Sequence, residues 1–434
     1  MTPRRAKNSI ASHTGRFFAA AAAPVVSDPI GLKTKIAGVE LQWLFAIAIL
    51  WVAVALIDYF ARRYEKLKTK TIIDSAKLVD PAWEEDKLLR RIAEVFFKFE
   101  EAWCHFDIYA IKQYATERYY RLLVMELGVL KRQQRQNFIL IPQIRSLNIL
   151  QARDEADNER DVVVAEFETR MDNILMDTES GDLLHTDYGY KRYFWVFRRE
   201  NDIWKVDAVR ANVERSELIE AAAIGFAQRH GFFYDPDFAG TAMPNKGSFF
   251  RHARFGRSVL NYHVIGTHRG RIVQFYTYRP GEVKRRGYAS GTDEKKMMLG
   301  RLENPYGTTG CASFSPNVVY ASGYVVAQAI VPFGVTDVLV RKRRRPIDIT
   351  PWGLRKFKIS GSDARVSVYA DRNDHVQDCP LLTPAFLECV ASLPFDLRVE
   401  IIGSFLYLYA KSRAGVTYEK MLEILDFAMT EMKL

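Results

Sequence analysis

Cysteine is scarce in this sequence. Four occur in 434 residues (Cys104, Cys311, Cys379 and Cys389), scattered and never as CxxC. That excludes a disulfide scaffold and a clustered zinc site. Also missing are a P-loop, a dinucleotide fingerprint, a G-x-S-x-G elbow, an H-E-x-x-H motif and any internal repeat. Histidines are isolated. His263 and His268 flank one hairpin turn without a cysteine or carboxylate at ligand spacing, and are read as surface histidines. No cofactor, metal site or enzymatic activity is expected.

Charge is absent from Leu41 to Ile57, and Leu41–Phe60 holds a single acid, Asp58. Twenty helical residues cover about 30 Å, the hydrocarbon thickness of a bilayer. Trp43 and Tyr59 stand near the two ends, where interfacial aromatics belong. A transmembrane helix over 41–60 is therefore expected; the alternative is a buried core helix. Arg62, Arg63, Lys66, Lys68 and Lys70 follow it against only Glu65, while Lys33, Lys35 and Glu40 precede it. Positive-inside bias puts the large C-terminal part in the cytoplasm of a bacterial inner membrane, or in the matrix of a mitochondrion. Arg4, Arg5, Lys7 and Arg16, which would have to cross, count against this. Acids are absent before Asp28, so residues 1–27 read as a disordered basic tail, a presequence or, at Phe17–Val26, a short signal-peptide core.

What remains is ordinary folded composition, 48% hydrophobic and 26% charged, with a net charge of +10 that favours anionic partners. Five segments follow: a tail or targeting segment (1–40), the membrane helix (41–60), a charged stalk (61–86), and two α+β domains (87–214 and 215–434). In the first domain, Leu88, Ile92, Val95, Phe96, Phe99 and Trp103 recur at helical spacing. Thr116 heads a second helix with Tyr120, Leu123, Leu127 and Leu130 on one face. The period then drops to two. Strands are predicted at Ile139–Leu150 and Val162–Met171, and a hairpin at Arg192–Arg199 and Ile203–Val209 turning near Asn201–Asp202.

In the second domain, a helix is predicted at Glu217–Arg229 and a hairpin at Ser258–Gly266 and Arg271–Tyr278. Residues 279–323, rich in Gly, Lys and Ser, read as a long loop. Strands follow at Tyr324–Val331, Asp337–Val340, Arg365–Ala370, Val399–Ile402 and Phe405–Tyr409, and helices at Thr383–Leu393 and Tyr418–Met432.

Over Ile92–Val209 three motifs occur in order: FFKFEEAWCHFD with Trp103 and Asp107, ATERYYRLL, and FWVFRRENDIWKV. Together they resemble the Tim44-like domain family, named for a subunit of the mitochondrial inner-membrane translocase and found in bacterial membrane-anchored proteins. The resemblance implies a cone-shaped fold related to nuclear transport factor two, helices covering a curved antiparallel sheet. It also implies a non-catalytic scaffold holding protein partners or lipid at a membrane surface, with a link to protein translocation. The membrane span, and the lack of a long coiled N-terminal region, set this chain apart from the translocase subunit. The C-terminal half, with HGFFYDPD and NYHVIGTHRGR, resembles an uncharacterised domain of bacterial membrane proteins and brings no function.

Related cone folds host enzymes with an interior Asp or Tyr. By type, Asp107, Tyr119 and Tyr193 could serve so; a helix cap and aromatic core packing are the favoured account of them. Trp103, Phe167, Trp195 and Trp204 read as core, and as pocket lining if the cone is hollow. The run Arg341, Lys342, Arg343, Arg344, Arg345 follows a strand. With Arg62, Arg63, Lys66, Lys68 and Lys70 it is a candidate contact for anionic headgroups, the alternative being a solvated strand end. No aromatic interleaving or helix-turn-helix supports nucleic-acid or ribosome binding.

Overall fold

The computed structural model describes residues 35–36, 39–210, 217–235, 259–279, 323–332, 335, 337–342, 350–351, 354–359, 365–371, 376–413 and 415–434. The N-terminal 1–27 segment, the 280–322 stretch and Arg343, Arg344 and Arg345 lie outside the described residues. The chain divides into two units, 1–71 and 72–434.

In the first unit a short antiparallel pair, β1 (Lys35–Ile36) and β2 (Val39–Glu40), leads into α1 (Leu41–Ala76). No glycine or proline interrupts these 36 residues, so one helix of about 54 Å results. Among the described residues no helix is long and apolar enough to cross a membrane. The apolar part of α1 whose side chains are described begins at Ala46 and runs to Ile57, about 18 Å of the roughly 30 Å required. The expected span over 41–60 is thus unsupported, although the stretch is bare: Ile49, Trp51 and Ile57 are 69%, 71% and 68% exposed.

The second unit opens where the sequence suggested a charged stalk. Instead Ile73, Ala76 and Trp83 are buried, and Trp83 meets Trp204 edge-on at 5.1 Å. Arg199, itself buried, donates to Asp80, to Asp161 at 3.1 Å and to Asp202 at 3.0 Å. Three helices come next. α2 (Glu85–Cys104) has acids in its first turn and buries Leu88, Ile92, Val95, Phe96 and Phe99. α3 (Ile108–Tyr114), which periodicity missed because it is only two turns long, is capped by Asp107. α4 (Glu117–Arg132) is capped by the Thr116 hydroxyl, which accepts from Tyr119 N at 3.2 Å and donates to Asp207 at 2.7 Å.

These helices cover an antiparallel sheet of five strands: β3 (Arg135–Arg153), β4 (Val162–Asp177), β5 (Leu183–Asp187), β6 (Tyr190–Glu200) and β7 (Ile203–Arg210). The order is β3-β4-β6-β7, with β5 paired to β4. The β6–β7 hairpin turns at Asn201 and Asp202, both at positive φ (52° and 60°), the pairing that suits a tight two-residue turn.

Then α5 (Glu217–His230) ends at Gly231, whose φ of 65° a side chain would resist. β8 (Phe233–Tyr234), β9 (Val259–His268), β10 (Arg271–Arg279), β11 (Tyr324–Ile330), β12 (Val338–Lys342), β13 (Arg355–Phe357) and β14 (Val366–Ala370) precede α6 (Pro384–Ser392). β15 (Arg398–Ile402), β16 (Phe405–Lys411) and α7 (Tyr418–Glu431) complete the chain. The nine strands form one antiparallel sheet in the order β13-β14-β12-β15-β16-β11-β10-β9-β8.

Alternation along β10 explains how the layers join. Val273 and Phe275 belong to a core shared with α5, α6 and α7, through Phe226, Leu387 and Leu425 among others. Tyr276 and Tyr278, on the other face, belong to the same cluster as Phe96, Phe167 and Trp195. A sheet apolar on both faces must be covered on both. Residues 87–214 and 215–434, expected to hold separate cores, therefore share the second cluster, while the first is built from residues 215–434 alone. The same burial overturns the surface reading of His263, which is 0% exposed, its ring nitrogens 3.0 Å from the Asp235 carbonyl and 2.9 Å from the Gln274 amide oxygen. His268, part-exposed, lies 2.6 Å from an Asp426 carboxylate oxygen.

Candidate functional site

Phe96 and Phe99 sit on the buried stripe of α2, and one turn onward the same stripe carries Glu100 and Trp103. Here the packing opens into a cleft of about 160 Å³. From α2 it is lined by Phe99, Glu100 and Trp103, and from α4 by Tyr119, Leu123 and Glu126. Ile139, Met171, Asn173, Tyr193 and Val209 form its sheet side, and Asp235, just beyond β8, closes the set. None of these residues is Lys, Arg or His. The His263 ring bond to the Asp235 carbonyl holds that segment against the nine-stranded sheet.

Electrostatics follow from this lining. Burial alone pushes the Glu100 carboxyl up to about 8, so near neutral pH it keeps its proton. Glu126 is 3% exposed, a second acid on the apolar side of its helix. Burial also pushes the Cys104 thiol up, while Ile139 N donates to its sulfur at 3.1 Å, so this cysteine is a packed thiol rather than a nucleophile. Among the described residues no cluster of His, Cys, Asp and Glu could hold a metal ion.

The aromatic and acidic residues singled out from sequence separate into three groups. Trp103, Tyr119 and Tyr193 line the cleft. Phe167, Trp195 and Trp204 are at most 4% exposed and pack away from it: Phe167 and Trp195 meet Phe96 at ring distances of 5.0 and 5.2 Å, and Trp204 donates to Ala82 O at 3.3 Å. Asp107 is exposed and accepts from Tyr109 N and Ala110 N at 3.1 and 2.9 Å, the geometry of a helix cap.

The basic candidates also divide. Arg63, Lys66, Lys68 and Lys70 are exposed along α1, while the Arg62 side chain lies outside the described residues. Arg341 lies over the Tyr369 ring, 4.6 Å from its centre, and donates to its hydroxyl at 2.9 Å; Lys342 donates to Leu393 O at 2.5 Å. These two cations answer groups of the nine-stranded sheet and the end of α6. Sequence reasoning missed Glu100, Glu126, Asn173 and Asp235. A signal existed for the first two: both acids fall on helix faces that are otherwise apolar, between Phe96 and Trp103 and between Leu123 and Leu130.

The Tim44-like domain family model matches residues 69–211. No curated protein matches. Among solved structures, the mycobacterial trehalose monomycolate transport factor A is similar at 11% identity and a TM-score of 0.31, over 50% of this chain and 94% of its own. The intermembrane space region of the chloroplast protein ARC6 is similar at 15% identity and a TM-score of 0.23, over 29% of this chain and 97% of its own. Both likenesses are too distant to bear on function. The ordered motifs, the helix-covered antiparallel sheet and the family match coincide on one segment: residues 69–211 of this chain are a Tim44-like domain.

Proposed function

We propose that the chain is a membrane-anchored binding module that holds a protein partner or lipid at a bilayer surface through its Tim44-like domain. The carrying observation is the bare apolar stretch of α1. Ile49, Leu50, Trp51, Val52, Val54, Leu56 and Ile57 are each 50–71% exposed, and nine consecutive positions cover every side of a helix. An all-round apolar helix is stable in water only if something buries it, and the sequence upstream to Leu41 extends the stretch to bilayer length. Arg63, Lys66, Lys68 and Lys70 then face anionic headgroups on the side of the large C-terminal part, cytoplasmic or matrix-side. A cone-shaped fold related to nuclear transport factor two suits the helices and curved sheet of residues 85–210.

The protein should sediment with membranes and resist carbonate extraction. Lys at both Ala48 and Ala53 should release it, since each charge near a span centre costs about 2.5–3.5 kcal/mol on insertion scales. Extraction of the unaltered protein by carbonate would refute the anchor.

A second reading, favoured by the buried acid Glu100 in an aromatic-lined cleft, is binding of a small molecule inside the domain. No catalytic role is proposed with it.

A further inference from the structure

We propose that the cleft between α2, α4 and the curved sheet binds a small neutral molecule of one ring bearing a carbonyl oxygen, with the Glu100 carboxyl as its hydrogen-bond donor. This rests on the second reading above, that the cleft takes a small molecule, and names the ligand class.

Glu100 lines the cleft between its helix neighbours Phe99 and Trp103. Burial is the single influence on its carboxyl, and among the described residues it has no hydrogen bond and no charged partner. A carboxyl so placed is neutral near pH 7 and offers one O–H donor beside one carbonyl acceptor. Left unmet, a buried donor destabilises the fold, and an oxygen acceptor seated in the cleft answers it. Surroundings that hold Glu100 in its neutral form also oppose an ion entering beside it, because an ion sheds its own hydration there. The ligand is therefore neutral. Its body follows from the wall, where the rings of Phe99, Trp103, Tyr119 and Tyr193 and the side chains of Leu123 and Val209 offer an apolar surface. A cavity near 160 Å³ compares with the roughly 150 Å³ pocket that takes benzene, so one ring with a short side group fits and a long acyl chain does not.

Proton linkage gives the site a signature. The Glu100 carboxyl is held near 8 by burial. The titratable groups around it are Tyr119 and Glu126 from α4, Tyr193 from β6, Asp235 beyond β8 and Cys104 on its own helix. Tyr119, Glu126, Tyr193 and Asp235 have partners of their own, and the Cys104 sulfur accepts from Ile139 N at 3.1 Å. Only the protonated form of Glu100 can donate. Affinity for the acceptor should then be level below pH 8 and fall about tenfold per unit above it, with a proton taken up on binding.

The test is calorimetric titration of the full chain in a non-ionic detergent with acetophenone and with ethylbenzene, in which a methylene replaces the carbonyl. Each probe is compared only with itself across variants and pH in one detergent, so its uptake by micelles cancels. At pH 7, Glu100→Leu should weaken acetophenone about tenfold and leave ethylbenzene unweakened, since only the first loses a hydrogen bond. Glu100→Gln, which keeps an N–H donor, should retain acetophenone and remove the loss of affinity above pH 8. Melting profiles of both variants check folding, and if the Leu variant does not fold, the pH series of the Gln variant decides. If Glu100→Leu weakens both probes alike, or neither, the carbonyl proposal falls while the small-molecule reading stands. If acetophenone binds the unaltered protein equally below and above pH 8, Glu100 is not its donor and the proposal is overturned. If neither probe binds at millimolar concentration, both readings fall.

Discussion

Phe96 and Trp103 lie two turns apart on one stripe of α2, in different environments. Phe96 is fully buried, stacked on Phe167 with an interplanar angle of 23° and tilted against Trp195. Trp103 is half-buried and faces an open cleft beside a carboxyl. Both ends are aromatic, yet the first has no ionisable neighbour in its stack and the second gathers three. Aromatic content therefore does not tell packing from binding in this domain. The acids that interrupt the stripe mark where the packing opens.

The sharpest way to break this comparison is to truncate one tryptophan on each side. Trp195→Ala, in the dry stack, should cost about 3–5 kcal/mol in urea unfolding, as large-to-small core changes do. A melt indistinguishable from the parent would remove the distinction. Arg199→Ala should be of similar size, because it strands Asp161, which is 0% exposed, and Asp80 without their cation.

A smaller effect concerns pH. Glu100 has a folded value near 8 against an ordinary 4.5, so the folded state holds a proton that the unfolded state has lost between these values. Stability should fall as pH rises through that window, by at most about 1.4 kcal/mol per unit, and Glu100→Gln should flatten the slope. An unchanged slope in that variant would assign the carboxyl to water rather than to the cleft wall.

Smaller still, Trp103→Ala should cost less than Trp195→Ala while changing ligand binding. Asp107→Ala should cost about 1 kcal/mol, the value of a helix cap, and leave the pH slope of Glu100 unaltered. A changed slope would couple Asp107 to the cleft.

The regular elements were largely legible in the sequence because local rules suffice for them. The spacing of Leu88, Ile92, Phe96 and Phe99 gives α2, Thr116 starts α4, and the apolar runs on either side of Asn201–Asp202 give β6 and β7. α3 was not legible, since seven residues are too short for a periodicity to register. Nor was the burial of His263, whose partners Asp235 and Gln274 are 28 and 11 residues away.

By itself, then, the sequence determined the helices and strands, the apolar run at the start of α1 and the Tim44-like motifs, all set by neighbours a few residues apart. Tertiary structure alone decided which acids share a cavity and how many cores the chain has. Glu100, Glu126 and Asp235 converge only when α2, α4 and the end of β8 are brought together. Low dielectric then raises the Glu100 carboxyl, a property of surroundings that no stretch of sequence contains. The joint core has the same origin: alternation gives β10 two apolar faces, and only the folded chain shows that the Tim44-like domain covers one of them.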